Sequence, residues 1–112
     1  MILMPIVYVR DMDESVDFYE RLGFEVDIQS RSQNWTELKA GESAVLALHS
    51  AEESKVGAIE LSMVAEQPLE RLAEVATASR GIADEAFGRS IVLPDPNGLQ
   101  IQVNEHDREL YG

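Results

Sequence analysis

The chain has 112 residues, 45% hydrophobic and 27% charged, a composition typical of one globular domain. Nine basic and 21 acidic side chains give a formal net charge of −12, which disfavours nucleic acid or an anionic membrane as a partner. The absence of cysteine excludes a disulfide framework, a thiolate nucleophile and a cysteine-bound zinc. No apolar run approaches the roughly 18–20 residues of a membrane span, and no secretory leader pattern is present, so we expect a cytoplasmic protein.

The first half of the chain predicts a β-α-β-β-β unit. Residues 2–9 are rich in β-branched and aromatic side chains, which is typical of a strand. Asp11 and Glu14 form a capping-box pattern for a helix that is expected to end at Gly23. Further strands are predicted at 24–28, 35–38 and 44–49, with a tight turn at 40–43. The apolar side of the helix is expected to consist of Met12, Val16, Tyr19 and Leu22.

The second half repeats this order of elements. A strand at 58–64 precedes a helix that is expected to begin at Pro68 and end at Gly81. A weak strand at 82–84, a firm one at 89–93 and a last one at 99–104 follow, with the turn Pro94-Asp-Pro-Asn-Gly98 before the last strand. Strands 44–49 and 99–104 are 55 positions apart, close to half the chain, which indicates a duplicated unit.

Two motifs within this pattern resemble a known family. The segment 11–24, DMDESVDFYERLGF, and Asp95-Pro-Asn-Gly98 before the last strand are similar to those of the vicinal oxygen chelate superfamily. That group includes glyoxalase I, extradiol dioxygenases, and fosfomycin- and bleomycin-resistance proteins. The resemblance covers nearly the whole chain and implies an α+β fold. In this fold two β-α-β-β-β modules, about 1–52 and 56–112 of a single domain 1–112, form a curved, cup-like mixed sheet around a pocket. It also implies a homodimer.

The resemblance further implies where a metal would bind. Enzymes of the superfamily hold a divalent metal with one residue from the first and one from the last strand of each module, usually His, Gln or Glu. Counting from the turns places these four positions at Met4, Ala47, Ala58 and Gln102. Alanine has no donor atom, and a thioether is a poor ligand for hard divalent ions. Because only Gln102 offers an oxygen, we expect no bound metal and no other cofactor.

Alternation along each strand predicts which side chains face the pocket. The pocket-facing positions are Met4, Ile6, Tyr8, Val45, Ala47, His49, Ala58, Glu60, Ser62, Gln100, Gln102 and Asn104. The opposite face is apolar and is expected to pack under the helices. It comprises Leu46, Leu48, Ile59, Leu61, Met63, Ile101 and Val103. A shift of one residue would bury Glu60 and Gln102 beneath a helix, which supports this register.

Several side chains on or near this face are candidates for ligand contact. The resemblance implies that an aromatic residue on the third strand, here Trp35, stacks on a planar ligand; packing at the rim or at a dimer interface is the alternative. A carboxylate in mid-strand, such as Glu60, costs energy unless it is paired or hydrated. Arg89 either anchors a carboxylate or phosphate ligand or, as we expect, pairs with one of the many nearby acids, such as Asp84 or Glu85. The candidate ligand-binding residues are Tyr8, Trp35, Glu37, His49, Glu60, Arg89 and Gln102.

Together these features predict a metal-independent small-molecule binding protein, similar to the drug-sequestering resistance proteins. The acidic charge favours a cationic aromatic ligand. One alternative is a metal-dependent lyase or dioxygenase of the same superfamily with a displaced site, for which His49, Glu60 and Glu37 are the available ligands. Another is a domain without a ligand. No Ser-His-Asp arrangement, phosphate-binding loop or dinucleotide motif is present in the sequence.

Overall fold

The computed structural model describes residues 1–42, 44–107 and 109, and in them the chain forms ten strands, two α-helices and one 3-10 turn. The elements are β1 (Ile2–Leu3), β2 (Ile6–Val9), α1 (Met12–Arg21), β3 (Glu25–Gln29), β4 (Trp35–Lys39), β5 (Val45–Ser50), the 3-10 turn (Glu53–Lys55), β6 (Ile59–Glu60), β7 (Ser62–Val64), α2 (Glu70–Val75), β8 (Arg80–Glu85), β9 (Gly88–Pro94) and β10 (Gln100–His106). No helix in these ranges is long and apolar enough to cross a bilayer.

The strands form two five-stranded mixed sheets in two compact units. The first unit, Met4–Glu60, contains the sheet β3-β4-β5-β2-β6 together with α1. The second unit, Met1–Leu3 with the chain from Leu61 onward, contains the sheet β1-β7-β10-β9-β8 together with α2. In each sheet one pair is parallel, β2 with β5 and β7 with β10. The predicted α+β class and the repeated β-α-β-β-β order are confirmed.

The core of the first unit lies between α1 and its sheet. Asp11 begins the helix as predicted, because its Oδ1 accepts a hydrogen bond from the Glu14 backbone N–H at 3.0 Å. Gly23 follows the helix with φ +105°, a conformation that favours glycine. Leu22 is 62% exposed, so its predicted place on the apolar side is wrong; the chain turns there, and Phe24 packs against the core instead. The buried core and its partly buried neighbours are Val7, Val9, Met12, Val16, Tyr19, Phe24, Leu38, Leu46 and Leu48.

The core of the second unit lies between α2 and the other sheet. The helix ends at Val75, and the prediction that it extends to Gly81 is wrong. Ala76 is already extended, and the Ser79 N–H donates to the Val92 carbonyl at 2.8 Å, which draws the following segment into β8. This core consists of Met63, Ala65, Leu69, Leu72, Ala78, Ile91, Leu93, Ile101 and Val103.

Each of the two long first strands that the sequence predicts is divided between the two sheets. The predicted strand 2–9 is broken at Met4 and Pro5 into β1 and β2, and proline cannot donate to a sheet ladder. The predicted strand 58–64 is broken at Leu61 into β6 and β7. Ile59 is 71% exposed rather than packed under a helix, because β6 is an edge strand beyond the strands β3, β4 and β5 that α1 covers.

Two turns in the second unit fix the register of its hairpins. Asp95 Oδ1 accepts from the backbone N–H groups of Asn97 at 2.9 Å and Leu99 at 2.8 Å, which confirms the predicted turn before the last strand. Gly88 opens β9 with φ +147°, and a Cβ atom placed there would lie 2.0 Å from the Glu105 carbonyl oxygen. Only glycine allows β9 and β10 to approach so closely at this point.

Candidate functional site

The sheet face of the first unit that points away from α1 carries two cross-strand rows. Residues paired directly across antiparallel or parallel strands project to the same face. One row contains Glu60, Ile6, Ala47, Glu37 and Ile28. The adjacent row contains Tyr8, His49 and Trp35. Five of the candidate ligand-binding residues, Tyr8, Trp35, Glu37, His49 and Glu60, therefore lie on one face of one sheet.

The adjacent row is a continuous aromatic strip, which we call the Tyr8–His49–Trp35 strip. The Tyr8 and His49 rings are 5.4 Å apart between centroids, and the Trp35 ring meets His49 edge-on at 5.7 Å. His49 Nδ1 lies 2.6 Å from the Ser50 carbonyl oxygen and donates to it, because a carbonyl oxygen can only accept. The Lys55 ammonium is 4.9 Å from the centre of the Tyr8 ring. These contacts orient the three rings before any ligand binds.

Glu60 lies beside the strip and is held by Tyr8. The Tyr8 hydroxyl donates to Glu60 Oε2 at 2.6 Å. Burial of the phenol, followed by this hydrogen bond to a carboxylate, raises the pKa of Tyr8 to about 12. Tyr8 therefore remains a neutral donor at physiological pH, while the half-buried Glu60 supplies a negative charge at the edge of the sheet.

Glu37 occupies the other end of the same face, next to Trp35. The Trp35 Nε1–H donates to Glu37 Oε2 at 2.9 Å. Trp35 is 8% exposed and Glu37 is 3% exposed, so this pair forms the buried part of the face. Tyr8, His49 and Glu60 are half-buried and form its accessible part.

Arg89 and Gln102, the other two candidates, belong to the second unit. Arg89 binds two carboxylates, with bonds of 2.8 and 2.9 Å to Glu70 and of 2.7 and 3.0 Å to Glu105. Arg89 therefore pairs with carboxylates as expected, but with Glu70 and Glu105 rather than with the suggested Asp84 or Glu85, although Asp84 is its neighbour across β8 and β9. The hydrogen bonds to Glu70 and Glu105 raise the pKa of Arg89 and lower the pKa of both carboxyl groups.

Gln102 lies on the face of the second sheet that points away from α2. Its Nε2 donates to Asn104 Oδ1 at 2.8 Å. Asn104 is fully buried, and its Nδ2 has no acceptor within the part of the chain that the structure describes. Strand alternation places Asn104 on this face, but the sequence gives no sign of its unsatisfied donor, because burial at a single position is set by tertiary packing.

The strand pairing also corrects the alignment of the two halves. Leu3 pairs with Met63 in the second unit as Ile59 pairs with Val7 in the first. Glu60, rather than Ala58, therefore corresponds to Met4.

With this correction, the positions at which the resemblance implies metal ligands are Met4, Ala47 and Glu60 in the first unit and Gln102 in the second. Two of them offer oxygen, one offers only a thioether and one has no donor, so this set does not fit a hard divalent ion held by three or four protein ligands. Among residues 1–42, 44–107 and 109, no three His, Cys, Asp or Glu side chains are grouped to hold a metal, His49, Glu60 and Glu37 included.

Comparison with known proteins places the fold. The search of functionally curated proteins gave no match. Among solved structures, a glyoxalase/bleomycin resistance protein/dioxygenase superfamily member from Vibrio splendidus 12B01 is 17% identical over 92% of this chain and 97% of that chain, with a TM-score of 0.59. A structure from Legionella pneumophila described as an NAD-dependent benzaldehyde dehydrogenase is 20% identical over 94% and 99%, with a TM-score of 0.63. An uncharacterized protein from Methanosarcina mazei is 16% identical over 96% and 94%, with a TM-score of 0.58.

At these identities the likeness to solved structures concerns the fold alone. The sequence itself gives a more specific result, because the model of one family matches residues 2–103, nearly the whole chain. The observed fold, with two five-stranded mixed sheets and two α-helices, agrees with the α+β fold that the resemblance to this superfamily implies. The chain belongs to the Glyoxalase/Bleomycin resistance protein/Dioxygenase superfamily.

Proposed function

We propose that this chain is a metal-independent small-molecule binding protein whose first unit takes a cationic aromatic ligand. The ligand's ring would lie against the Tyr8–His49–Trp35 strip, and its positive charge would be neutralised by Glu60. One observation carries the proposal: the Glu60 carboxylate and the half-buried rings of Tyr8 and His49 lie side by side on one sheet face. Capture without turnover is the activity implied by the resemblance to the sequestering resistance proteins.

The charges on this face support a cation rather than an anion. Glu60 lies on it, and the Tyr8 hydroxyl that donates to Glu60 is neutral. A neutral donor orients a carboxylate without cancelling its charge. Aromatic faces attract cations through the ring quadrupole, and the formal net charge of −12 favours the approach of a cation.

Metal independence is supported by the donor chemistry at the superfamily's metal positions. A lyase or dioxygenase of this superfamily needs a divalent ion to polarise or bind oxygen atoms of its substrate. The Met4 thioether and the Ala47 methyl group supply no hard ligand, and Glu60 already accepts the Tyr8 hydroxyl. The enzyme with a displaced metal site therefore ranks second.

The direct test is a titration with two ligands of the same shape and different charge. We choose 1-methylquinolinium as the cation and 1-methylnaphthalene as the neutral analogue, and follow the fluorescence of Trp35, the only tryptophan. The cation should bind below millimolar and the neutral analogue at least about tenfold more weakly, because a charge-assisted contact contributes roughly 1.5–3 kcal/mol and ~1.4 kcal/mol is a factor of ten.

Substitution of Glu60 supplies the matched control. Glu60→Gln keeps the shape and removes the charge, so it should weaken 1-methylquinolinium about tenfold and leave 1-methylnaphthalene unchanged. Glu20→Gln removes one charge from an exposed position of α1 and should change neither affinity. No cation binding below millimolar, or an equal loss for both ligands in Glu60→Gln, would reject the cationic ligand.

We further propose a cytoplasmic homodimer. The support for the dimer is that every terminal strand of the two sheets carries an exposed apolar side chain. The outer strands are β3 and β6 in the first sheet and β1 and β8 in the second. Their exposed apolar residues are Val26, Ile59, Leu3 and Ile82. A second copy that pairs along one of these edges would cover such residues and satisfy the free backbone groups.

The proposed cytoplasmic location is supported by the acidic, cysteine-free composition of the chain.

A further inference from the structure

Lys55 is a cation of the chain itself that lies against the Tyr8–His49–Trp35 strip. Its ammonium group is 4.9 Å from the centre of the Tyr8 ring, within the roughly 6 Å over which an aromatic ring attracts a cation. Among the residues that the structure describes, no carboxylate forms an ion pair with Lys55. The Tyr8 ring therefore determines where this charge lies.

The strand pairing places Lys55 and His49 on opposite sides of Tyr8. His49 is the direct partner of Tyr8 on β5. On the β6 side, the Gly57 N–H donates to the Tyr8 carbonyl at 2.9 Å, and the Tyr8 N–H donates to the Ala58 carbonyl at 3.0 Å. The Tyr8 ring thus has an aromatic neighbour on one side and a positive charge on the other. A ligand cation that approaches this ring meets a like charge.

The 3-10 turn that carries Lys55 is anchored to β2 and its end. Before Lys55, Glu53 Oε2 accepts from Arg10 Nε at 2.7 Å, and Arg10 Nη2 also donates to Glu53 Oε1. After Lys55, the chain is held by the two backbone hydrogen bonds to Tyr8. The backbone of Lys55 is therefore fixed beside Tyr8, whereas its exposed side chain can leave the ring without any change in the sheet.

We propose that Lys55 is an internal competitor, which occupies the Tyr8 ring until the positive charge of a ligand displaces it. This inference rests on the cationic ligand proposed above and states how the affinity of that site is regulated. A group tethered by a short flexible segment acts at an effective concentration of about millimolar, so Lys55 competes at every ligand concentration below that value. Loss of the Lys55 charge should therefore increase the affinity of the first unit for aromatic cations.

The position of the Lys55 side chain can be measured without a ligand. The chain has two lysines, Lys39 and Lys55, so nuclear magnetic resonance of protein with carbon-13-labelled lysine gives two sets of side-chain signals. The Cε protons of Lys55 should lie upfield of those of Lys39, because of the ring current of Tyr8. Tyr8→Leu should remove this difference and Tyr8→Phe should retain it. Identical positions of the two sets in the parent protein would overturn the inference.

The competition itself is tested by titration with 1-methylquinolinium. Lys55→Ala should raise the affinity about two- to fivefold, the factor expected for loss of an exposed cation–π contact. Lys55→Arg keeps a cation that can lie on the ring and should leave the affinity close to that of the parent protein. Lys39→Ala is the matched control, because it removes the same charge from a side chain that lies 3.8 Å from Asp27, and it should not change the affinity.

The outcomes separate this inference from the proposed function. Equal affinity of the parent protein and Lys55→Ala would overturn the competition and leave the cationic ligand in place. An equal rise in Lys55→Ala and Lys39→Ala would also overturn it, because net charge alone would then explain the effect. Failure of 1-methylquinolinium to bind to either the parent protein or Lys55→Ala would reject the cationic ligand, and the competition with it.

Discussion

Tyr8 and Glu60 are 52 positions apart in sequence, yet the phenol hydroxyl donates to the carboxylate at 2.6 Å. The two residues lie on the neighbouring strands β2 and β6, one at the start of the chain and one just past its middle. Their contact adds to the effect of burial in raising the pKa of Tyr8, and it orients Glu60. It is therefore the most informative point at which to test the proposed ligand face.

The first prediction concerns the ionisation of Tyr8. Glu60→Gln should lower the pKa of Tyr8 from about 12 toward its ordinary value of 10.0, because the carboxylate's charge and strong acceptor are removed while the burial remains. Ultraviolet absorbance of tyrosinate as a function of pH, with Tyr8→Phe subtracted to remove the other tyrosines, measures this change. An unchanged pKa would show that burial alone is responsible.

The same shift predicts how stability depends on alkaline pH. The folded protein keeps the Tyr8 proton to about pH 12, whereas the unfolded chain loses it near 10.0. The stabilisation is therefore complete below pH 10.0 and is lost as the pH rises toward 12. Tyr8→Phe should remove this part of the alkaline decline in melting temperature.

Trp35 should matter for binding as well as for packing. Trp35→Ala removes the ring and should weaken 1-methylquinolinium by about tenfold, since a cation–π contact contributes roughly 0.5–2 kcal/mol. Loss of the ring also leaves a cavity that lowers the free energy of unfolding by about 3–5 kcal/mol. Binding of 1-methylquinolinium to this variant should therefore be measured by calorimetry well below its melting temperature. Trp35→Phe, which keeps a ring, should retain most of the affinity. Unchanged affinity in Trp35→Ala would assign Trp35 to packing alone.

Arg89 should stabilise the second unit through its two carboxylate partners. It joins Glu70, the first residue of α2, to Glu105 of β10, and Glu105 also accepts from the Leu69 N–H just before the helix at 3.2 Å. Arg89→Ala should lower the melting temperature at neutral pH. Arg21→Ala breaks only an exposed pair with Asp17 and serves as the control, with a loss of about 0.3–0.5 kcal/mol.

The pH dependence of the Arg89 effect has a definite sign. The pKa values of Glu70 and Glu105 are lowered from 4.5, mainly by their hydrogen bonds to Arg89. The stabilisation is therefore present above pH 4.5 and is lost as the carboxyl groups are protonated at lower pH. The melting temperatures of the parent protein and Arg89→Ala should converge in acid. A constant difference across the acid range would contradict this assignment.

Metal content provides an independent prediction. Elemental analysis of the purified protein should find no stoichiometric divalent metal, because Met4 and Ala47 occupy two of the superfamily's four metal positions. One metal per chain that is lost on Gln102→Ala would overturn this expectation and favour the lyase or dioxygenase with a displaced site. Glu60→Gln extends the comparison, since Glu60 is the second oxygen donor of the set.

The oligomeric state is tested by sedimentation equilibrium at micromolar concentration. A homodimer should sediment with about twice the chain mass of 12.5 kDa. A charged substitution in each outer strand identifies the edge that pairs, because only the one in the interface should produce monomers. These variants are Leu3→Lys, Val26→Lys, Ile59→Lys and Ile82→Lys. A single 12.5 kDa species in the parent protein would exclude the dimer.

The features that the sequence predicts correctly depend on local signals. The Asp11 cap, Gly23 after α1 and the turn at Asp95 each follow from residue types whose backbone preference acts within a few positions. The alternation that places Tyr8, His49 and Glu60 on one face is local too. These signals were sufficient to predict the fold class and the face of the first unit that carries the candidate ligand residues.

The predictions that failed concern contacts between distant segments. The end of α2 depends on the hydrogen bond from Ser79 to Val92, and the partners of Arg89 lie on α2 and β10. The breaks at Pro5 and Leu61 reflect a change of sheet, which residue pattern alone does not reveal. Ala58 was assigned in place of Glu60 because the correspondence between the two halves depends on pairing between distant strands, which the sequence does not show.

The chain passes from one sheet to the other between β1 and β2 and again between β6 and β7, so a cut between the two sequence repeats does not separate the two sheets. The chain's first strand completes the sheet built from its second half, and β6 completes the sheet built from its first half. A chain severed near its midpoint would leave the later fragment without β1, with the backbone groups of β7 uncovered on one side. The sequence duplication is therefore not matched by two self-sufficient halves, and a minimal single-repeat version would need its outer strand supplied by another chain.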